Sequence, residues 1–241
     1  ERNPRGYEPT SAGLRLIETA ERMEEAAEQI PFEQNTPHGQ TRPVRLAMPE
    51  GIASHFVTHL LPKFTARFPH IALELITMSQ ILSLSRREAD ISVTLDPVNN
   101  GPYRSERMVD YTLHLFATDA YLRAAPPIAS REDLRNQRFV GYIEEMIFAP
   151  GLDYLGEIHP AIRAHIKSSS IFNQLSAIRN GLGIGVLPYY IAVKYPELQL
   201  ILPDQVRLIR TYWLTCHRDI RTMRRERALI SFLIDSISAR S

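Results

Sequence analysis

One stretch of the chain, residues 166–190, has the pattern of a complete strand–helix–strand unit, and it constrains the fold more than any other feature. A short apolar run ends in the hydroxyls of Ser168, Ser169 and Ser170, a helical pattern follows, and glycines precede a second apolar run. Either of the last two serines can cap the helix, and Gly181, with the asparagine before it, supplies a left-handed stop. The helix is predicted to bury one face, formed by Leu175, Ile178 and Leu182. This order is the βαβ unit of a parallel sheet, in which ligands bind at the carboxyl ends of the strands.

The glycines at the end of this unit resemble part of a dinucleotide-binding fingerprint. That fingerprint requires a strand, then glycines, then a helix, so that the pyrophosphate meets a helix N-terminus. Here Gly181, Gly183 and Gly185 follow a helix and precede a strand. We therefore interpret them as turn and packing residues.

The bulk properties exclude several classes of protein. With 241 residues, of which 44% are hydrophobic, the chain suits one large domain or two small lobes. Its 28 basic and 27 acidic residues give a net charge of +1, so there is no electrostatic case that the chain as a whole binds nucleic acid. The single cysteine, Cys216, excludes an intrachain disulfide and is predicted to be a buried small hydrophobe.

Nothing in the sequence predicts a membrane segment. No run approaches the roughly 18 uncharged apolar residues of a membrane span, and no apolar signal core is present at the N-terminus. We expect a soluble, cytoplasmic protein. The chain begins with Glu1 rather than Met, so we also expect that an N-terminal part is missing.

The N-terminal part has a pattern of its own. Thr10 is predicted to cap a helix that runs to about residue 30 and carries apolar residues at a spacing of about 3.5, which is typical of a helix that packs on another helix. The apolar residues of this seam are Leu16, Ala20, Met23, Ala27 and Ile30. A dimer-forming linker helix is our interpretation, and packing on its own domain is the alternative. Residues 31–43 are rich in proline and polar residues and are predicted to be a linker.

From Val44 onward, short apolar runs alternate with helical patterns. Strands are predicted at residues 44–48, 71–77, 91–95, 111–117, 138–143, 164–167, 198–202 and 208–217. Helices are predicted at residues 52–68 and 80–87, after Thr118, after Ser130, and after Thr222 near the C-terminus. Two groups of βα units joined by the long strands at 111–117 and 208–217 imply an α/β fold of two lobes with a cleft between them.

Three groups of residues have some features of a catalytic or metal site. His55 and His59 are four residues apart on a predicted helix and could share a metal, but no third ligand is evident, so a half-buried helix face is the simpler interpretation. Ser168, Ser169 and Ser170 do not lie in a Gly-x-Ser-x-Gly motif, so they do not form a nucleophile elbow. Glu144 and Glu145 are adjacent, so on a strand they would face opposite sides and are better explained as loop charges. We identify no cofactor or metal motif and predict that the chain is not an enzyme.

Two further groups of side chains can each be interpreted in two ways. A cluster of arginines near the C-terminus is either a basic patch or, more simply, a solvated helix face. Four tyrosines either line the cleft or pack in the core: Tyr154, Tyr189, Tyr190 and Tyr195.

Several motifs, in their order along the chain, resemble those of LysR-type transcriptional regulators. Residues 5–13 (RGYEPTSAG) look like the end of that family's winged helix-turn-helix, followed by a Thr-capped linker helix. Residues 44–69 are similar to the opening of its effector domain, and residues 87–93 (READISV) resemble its helix-to-strand signature, with Glu-Ala where glycine is usual. Residues 181–188 (GLGIGVLP) resemble the motif of its second lobe. The chain departs from the family at its start, where the recognition helix is absent.

The resemblance implies a fold and an organisation. The fold is α/β, with two βα lobes joined by crossing strands in the manner of type 2 periplasmic binding proteins, preceded by a long linker helix. The implied domains are a wing remnant at 1–10, a linker helix and hinge at 11–42, and an effector-binding domain at 43–241. Lobe I would comprise 43–115 and 214–241, and lobe II would comprise 116–213.

The resemblance also implies partners and sites. A small-molecule effector would bind between the lobes of a homodimer or homotetramer, and DNA would be bound through the winged helix-turn-helix, with Arg2 and Arg5 touching phosphates. Carried over position by position, the effector site comprises Met48, Glu50, Gly51, Met78, Ser79, Gln80, Thr94, Tyr142, Ser169, Ser170 and Phe172.

Glu50 complicates the expected ligand. Helix N-termini lining a cleft favour an anionic ligand group, whereas Glu50 would repel a carboxylate or accept a hydrogen bond from a hydroxyl or ammonium group. A simple capping or surface charge is the alternative role for Glu50.

The sequence thus predicts a transcriptional regulator whose effector changes lobe closure. A solute-binding protein of the same fold is the first alternative, disfavoured by the missing export signal. An enzyme using the cleft is the second, disfavoured by the lack of a nucleophile, base or metal set.

Overall fold

The computed structural model describes residues 2–3, 6–7, 42–78, 89–98 and 101–238, and the chain divides into two compact units, Glu1–Pro43 and Val44–Ser241. In the first unit, strand β1 (Arg2–Asn3) pairs antiparallel with β2 (Gly6–Tyr7). Arg5 and the side chain of Arg2 lie outside the described part. So do the predicted seam residues of the linker helix, Leu16, Ala20, Met23, Ala27 and Ile30.

The strands of the second unit form one sheet. They are β3 (Val44–Pro49), β4 (Leu73–Met78), β5 (Ile91–Thr94), β6 (Tyr103–Thr118), β7 (Phe139–Gly141), β8 (Ala164–Lys167), β9 (Ile184–Pro188), β10 (Leu198–Ile201) and β11 (Leu208–His217). The strand order is β4-β3-β5-β11-β6-β9-β7-β8, with β10 also paired to β6.

Helices cover the sheet and connect its strands. The α-helices are α1 (Glu50–His59), α2 (Leu61–Arg67), α3 (Asp119–Ala124), α4 (Tyr154–Ile158), α5 (Ile171–Arg179), α6 (Tyr189–Ala192) and α7 (Arg224–Ser238). Short 3₁₀ helices lie at Arg131–Asn136, Glu144–Met146, Pro150–Leu152 and Arg218–Thr222.

The strand directions divide this unit into two lobes. In lobe I, β3 is parallel to both β4 and β5, and in lobe II, β7 is parallel to both β8 and β9. The long strands β6 and β11 pair antiparallel from Leu208 opposite Leu113 to His217 opposite Tyr103. Beyond Leu113, β6 continues into lobe II between β9 and β10, while β11 pairs with β5 in lobe I. The predicted α/β fold of two βα lobes joined by crossing strands is therefore confirmed.

The strand–helix–strand unit of lobe II forms as its sequence predicts. Ser170 caps α5, because its hydroxyl accepts from the backbone N–H of Asn173. Gly181 ends the helix with φ +71°. A Cβ at Gly183 would lie 2.6 Å from the backbone oxygen of Arg138, which leaves room only for glycine. The turn and packing roles predicted for these glycines are confirmed.

Apolar residues from both faces of the sheet form the core. The apolar face of α5, with Leu175 and Ile178, packs with Val140 and Leu187 in a cluster within lobe II. A larger cluster runs through both lobes, and it includes Cys216, which is buried as predicted. Burial of this apolar surface is the main favourable contribution to folding.

The long helix predicted at residues 52–68 is wrong as a single element. It begins earlier, at Glu50, and consists of α1 and α2, which meet at Leu60. Pro62 lies in the first turn of α2, where its missing N–H costs no hydrogen bond, so a new helix begins there. Leu182 was also misassigned, because the left-handed Gly181 turns the chain out of α5 and leaves Leu182 45% exposed.

Two further predictions differ from the structure or lie outside its described part. The C-terminal helix begins at Arg224, and Thr222 ends the preceding 3₁₀ turn, so Thr222 is not the cap. The helix predicted at 80–87 falls on residues outside the described ranges.

Candidate functional site

A cavity of about 270 Å³ lies between the two lobes. It is bordered by residues at the carboxyl ends of the parallel strands of both lobes, where α/β sheets bind ligands. The lining residues are Pro49, Glu50, Gly51, Thr77, Leu95, Tyr111, Tyr142, Phe148, Leu152, Tyr154, Ser169, Ser170, Ile171, Pro188 and Tyr212.

One end of the cavity is a polar corner, formed by Glu50 together with Ser170 and the backbone N–H of Ile171. Glu50 is the first residue of α1 in lobe I, whereas the other two lie at the start of α5 in lobe II. The Glu50 carboxylate accepts from the Ser170 hydroxyl at 2.9 Å and from the Ile171 N–H at 2.9 Å. One carboxylate thus lies at the N-termini of two helices, both of whose dipoles favour its negative charge.

The serine turn is held by its own hydrogen bonds. The Ser168 hydroxyl accepts from the backbone N–H of Ser170 at 3.2 Å. The Gln174 side chain, only 1% exposed, donates to the backbone oxygen of Ser168 at 3.0 Å. Because the turn is fixed from within lobe II, the Ser170 hydroxyl meets Glu50 in a defined position.

Helix α1 contacts lobe II along its length. A Cβ at Gly51 would lie 3.1 Å from both the Tyr190 hydroxyl and the Ile191 side chain. The ring of His55 lies edge-on to that of Tyr190, with centroids 5.4 Å apart. At the far end of the helix, His59 Nε2 lies 3.3 Å from Lys194 Nζ. Any change in the angle between the lobes must therefore alter contacts along α1.

Part of the remaining border of the cavity is an aromatic wall, which consists of Tyr111, Tyr142, Tyr154 and Tyr212. The rings of Tyr111 and Tyr212, from the crossing strands, stack with centroids 4.2 Å apart and planes 11° apart. The rings of Tyr142 and Tyr154, from lobe II, meet edge-on at 6.0 Å. Behind the wall, the hydroxyls of Tyr190 and Tyr212 share a hydrogen bond of 3.0 Å.

Burial keeps these phenols neutral. It raises the pKa of Tyr111 to about 12, and it raises the pKa values of Tyr142, Tyr154, Tyr190 and Tyr212 above the ordinary tyrosine value, because a phenolate loses hydration in an apolar surround. The wall therefore borders the cavity with neutral phenols and adds no charge to it.

The structure brings together five of the residues predicted for the site. The side chains or backbone of Glu50, Gly51, Tyr142, Ser169 and Ser170 border the cavity.

Three of the other predicted residues lie elsewhere. Met48 is buried in the core, and Phe172 packs against the apolar cluster of lobe II. The Thr94 hydroxyl lies 2.8 Å from the backbone oxygen of Asp96 and 3.2 Å from the Thr215 hydroxyl. The side chain of Met78, and all of Ser79 and Gln80, lie outside the described part.

Some lining residues were not predicted. Thr77 and Leu95 each adjoin a predicted residue, Met78 and Thr94 respectively. Tyr111 and Tyr212 gave no local signal, because an aromatic residue in a strand is ordinarily explained by packing. Of the four tyrosines considered, Tyr154 borders this cavity.

The other three tyrosines have different surroundings. Tyr190 bonds Tyr212 behind the wall, Tyr195 stacks on the guanidinium of Arg179, and Tyr189 borders a separate cavity. Glu144 and Glu145 are exposed in a 3₁₀ turn, as their interpretation as loop charges requires.

Two more cavities adjoin this one. A cavity of about 420 Å³ within lobe II shares Tyr142, Leu152 and Tyr154 with it, and a cavity of about 510 Å³ behind the crossing strands shares Tyr111 and Tyr212. Among residues 42–78, 89–98 and 101–238, no group of three or more metal-ligating side chains occurs. Over the same described ranges, no helix has the length and apolarity needed to cross a membrane.

The geometry defines a class of protein: a two-lobed α/β domain with a ligand-sized cavity at its strand ends, of the type 2 periplasmic-binding-protein kind. The family model described as "LysR substrate binding domain" matches residues 37–238. The chain therefore belongs to this family, and it is a LysR-type transcriptional regulator with an effector-binding domain.

Relatives and solved structures agree with this assignment. The Mau operon transcriptional activator of Paracoccus denitrificans is 22% identical over 213 residues, covering 88% of this chain and 71% of that protein. The HTH-type transcriptional regulator CrgA of Neisseria meningitidis is 28% identical over 158 residues, covering 63% of this chain and 50% of that protein. The chain thus spans 50% to 71% of the length of these two relatives.

Solved structures share the fold. The regulatory domain of CrgA from Neisseria meningitidis has a TM-score of 0.72 at 21% identity, covering 82% of this chain and all of that domain. The full-length virulence activator AphB of Vibrio cholerae has a TM-score of 0.68 at 20% identity, covering 95% of this chain and 80% of that one.

Proposed function

We propose that the cavity between the lobes binds a small-molecule effector and that its occupancy changes the arrangement of DNA-binding segments in a homodimer or homotetramer. The observation that carries the proposal is the polar corner, where a carboxylate of lobe I closes on the first turn of a lobe II helix at the border of a ligand-sized cavity.

The polar corner explains how a ligand could act on the lobes. The contacts of Glu50 with Ser170 and Ile171 exist only while the lobes are close. A ligand that competes with these contacts favours opening, and one that adds to them favours closure. In either case the ligand shifts the equilibrium only by its difference in affinity for the two arrangements.

The remaining site assignments belong to the same proposal. Effector contacts by Ser169, Ser170, Gly51 and Tyr142 are supported by their places on the cavity surface. Phosphate contacts by Arg2 and Arg5, dimerisation through the predicted helix, the domain boundaries at residues 10, 42 and 115, and a cytoplasmic location rest on the sequence pattern.

The relatives favour a role in transcriptional regulation over the two alternatives, a solute-binding protein and a cleft enzyme. The named relatives are transcriptional regulators, which argues against both a transport function and a cleft enzyme.

The experiment that tests the proposal uses the full-length gene product and the DNA upstream of its own gene. Footprints are recorded with and without each member of a small-metabolite library, and thermal shifts of residues 1–241 identify which members bind. We expect a specific footprint that changes with at least one metabolite that also raises the melting temperature. A full-length protein that ignores its upstream DNA, or a footprint unaffected by every metabolite that binds, contradicts the proposal.

A further inference from the structure

We propose that the effector held between the lobes is a small organic cation, of the amine or ammonium class, and that Glu50 is its counter-ion. This inference rests on the proposed function, since it names the ligand class of the same cavity.

The charges that border the cavity have one sign. Glu50 contributes a carboxylate, and the described lining residues include no lysine, arginine or histidine. The guanidinium of Arg210 lies 5.9 Å from the Tyr154 ring, but it donates to the backbone oxygen of Gly151 at 3.0 Å and pairs with Glu157. Lys167 pairs with Glu144 at 3.2 Å. Among the described residues, an anionic ligand in the cavity would therefore meet a carboxylate and no counter-charge.

The place where an anion would be expected is already filled. The first N–H of α5 and the Ser170 hydroxyl both donate to Glu50. A carboxylate ligand would have to displace a carboxylate that the chain itself holds there, and it would then lie beside the displaced charge. A cation faces neither cost, because each Glu50 oxygen keeps acceptor capacity after one hydrogen bond.

The aromatic wall suits a cation for a separate reason. The face of an aromatic ring carries negative electrostatic potential, and it attracts ammonium groups more strongly where water is excluded. Tyr111, Tyr142, Tyr154 and Tyr212 all border the cavity. A cavity bordered by one carboxylate and four tyrosines suits a ligand with one positive charge and a short apolar group.

The size of the cavity restricts the ligand further. A volume of about 270 Å³ lies just below the usual range for drug-sized ligands, which begins at about 300 Å³. The two adjoining cavities have no such preference for a cation, because each is bordered by charges of both signs. These are Asp153 and Arg163 in the cavity of about 420 Å³, and Asp110 and Arg207 in the cavity of about 510 Å³.

The test compares three probes of similar size, benzylamine, benzyl alcohol and benzoate, by calorimetric titration and thermal shift with residues 1–241 at neutral pH. We expect benzylamine to bind most tightly, benzyl alcohol more weakly and benzoate least. In Glu50→Gln, which keeps a hydrogen-bond acceptor, benzylamine should bind at least about tenfold more weakly, because a charge-assisted hydrogen bond contributes more than a neutral one. Benzyl alcohol should change by less than about threefold.

The matched control is Glu74→Gln, which removes the same charge from lobe I at an exposed site where Glu74 pairs with Arg45. It should leave the order of the three probes unchanged. As a second variant, Tyr142→Leu removes a ring but keeps the carboxylate, and it should weaken benzylamine more than benzyl alcohol.

Three results overturn the inference: benzoate binding more tightly than benzylamine, a benzylamine affinity unaffected by Glu50→Gln, or no binding by benzylamine, putrescine and tetramethylammonium at millimolar concentration. If one of these three results is obtained, and Ser169→Phe, which fills the cavity, abolishes the binding of benzoate or benzyl alcohol, the ligand class is wrong and the effector site stands. If the upstream footprint fails, the proposed function itself is wrong.

Discussion

The polar corner and the aromatic wall border the same cavity, and they solve the problem of burying polar groups in opposite ways. The corner places a carboxylate where two donors and two helix N-termini meet it. The wall holds phenols that burial keeps protonated, as the raised pKa values of Tyr111 and Tyr142 indicate. The corner joins residues from two lobes, whereas the wall is built around the crossing strands and lobe II.

This difference indicates which part of the site changes when the lobes move relative to each other. The wall includes the stacked pair on the crossing strands, Tyr111 and Tyr212, whose mutual position is set by neighbouring strands of one sheet. The corner depends on the approach of two lobes, because its partners lie 120 and 121 residues apart in sequence. We expect the wall to shape the ligand site and the corner to respond to the ligand.

Alkaline pH should affect the wall most strongly. Between about pH 10 and pH 12 the Tyr111 phenol has lost its proton in the unfolded chain but keeps it in the folded protein, so stability falls as pH rises. A shift of the Tyr111 pKa to about 12 corresponds to a loss of about 2 to 3 kcal/mol over this range. Urea unfolding at about pH 8 and about pH 11 measures about half of this loss, because pH 11 lies midway between the ordinary tyrosine pKa and the raised Tyr111 pKa of about 12. Tyr111→Phe, which has no phenol at this position, is the control and should lose less stability between the two pH values. An equal free energy of unfolding at both pH values in the wild type would contradict this account of the wall.

Glu50→Ala should have the next largest effect, because it removes the corner entirely. The Ile171 N–H and the Ser170 hydroxyl then lose a charged acceptor, which costs about 2 kcal/mol. Urea unfolding at neutral pH measures the cost, and Glu74→Ala serves as a surface control with an expected cost below about 1 kcal/mol. Equal costs for the two variants would show that the corner contributes no more than a surface ion pair.

Ser170→Ala should cost about 1 kcal/mol, since it removes the cap of α5 as well as one donor to Glu50. The double variant with Glu50→Ala should cost less than the sum of the two single changes, because the two side chains share a hydrogen bond. Thr118→Ala, which removes the cap of α3 within lobe II, is the control and should be additive with Glu50→Ala. Additivity in both pairs would mean that Glu50 and Ser170 are independent in solution.

Tyr190→Phe should have the smallest effect, about 0.5 to 1 kcal/mol, because it removes one neutral hydrogen bond behind the wall and keeps the ring. Urea unfolding measures it, and benzylamine affinity should change by less than about threefold. A loss of stability larger than that of Glu50→Ala would contradict the expectation that the charged contacts of the corner stabilise the fold more than this neutral hydrogen bond.

The parts of the site that follow from local chemistry were predicted from the sequence. The serine cap of α5, the glycine stop and the strand Leu208–His217 each depend on residues close together in the chain, and all three are confirmed. Thr77 and Leu95, which border the cavity, were not predicted, because the sequence does not mark locally which residue at a strand end faces a cavity.

Contacts between residues far apart in the chain could not be predicted from the sequence. Nothing near Glu50 in the chain indicates that its carboxylate meets Ser170, and nothing near Tyr111 indicates that its ring stacks on Tyr212. Such contacts depend on how segments that are distant in the chain come together in the folded domain. The sequence alone therefore left Glu50 with two roles, a simple helix charge or a ligand contact.

Calorimetric titration of the wild type and Ser169→Phe, with a metabolite that changes the DNA footprint, tests the central claim most directly. Ser169 borders the cavity without bonding Glu50 in the described structure, so a larger side chain fills the space while the polar corner remains. We predict a single site in the wild type and at least about tenfold weaker binding in Ser169→Phe. Equal affinity in two folded proteins would contradict the claim that the effector binds between the lobes.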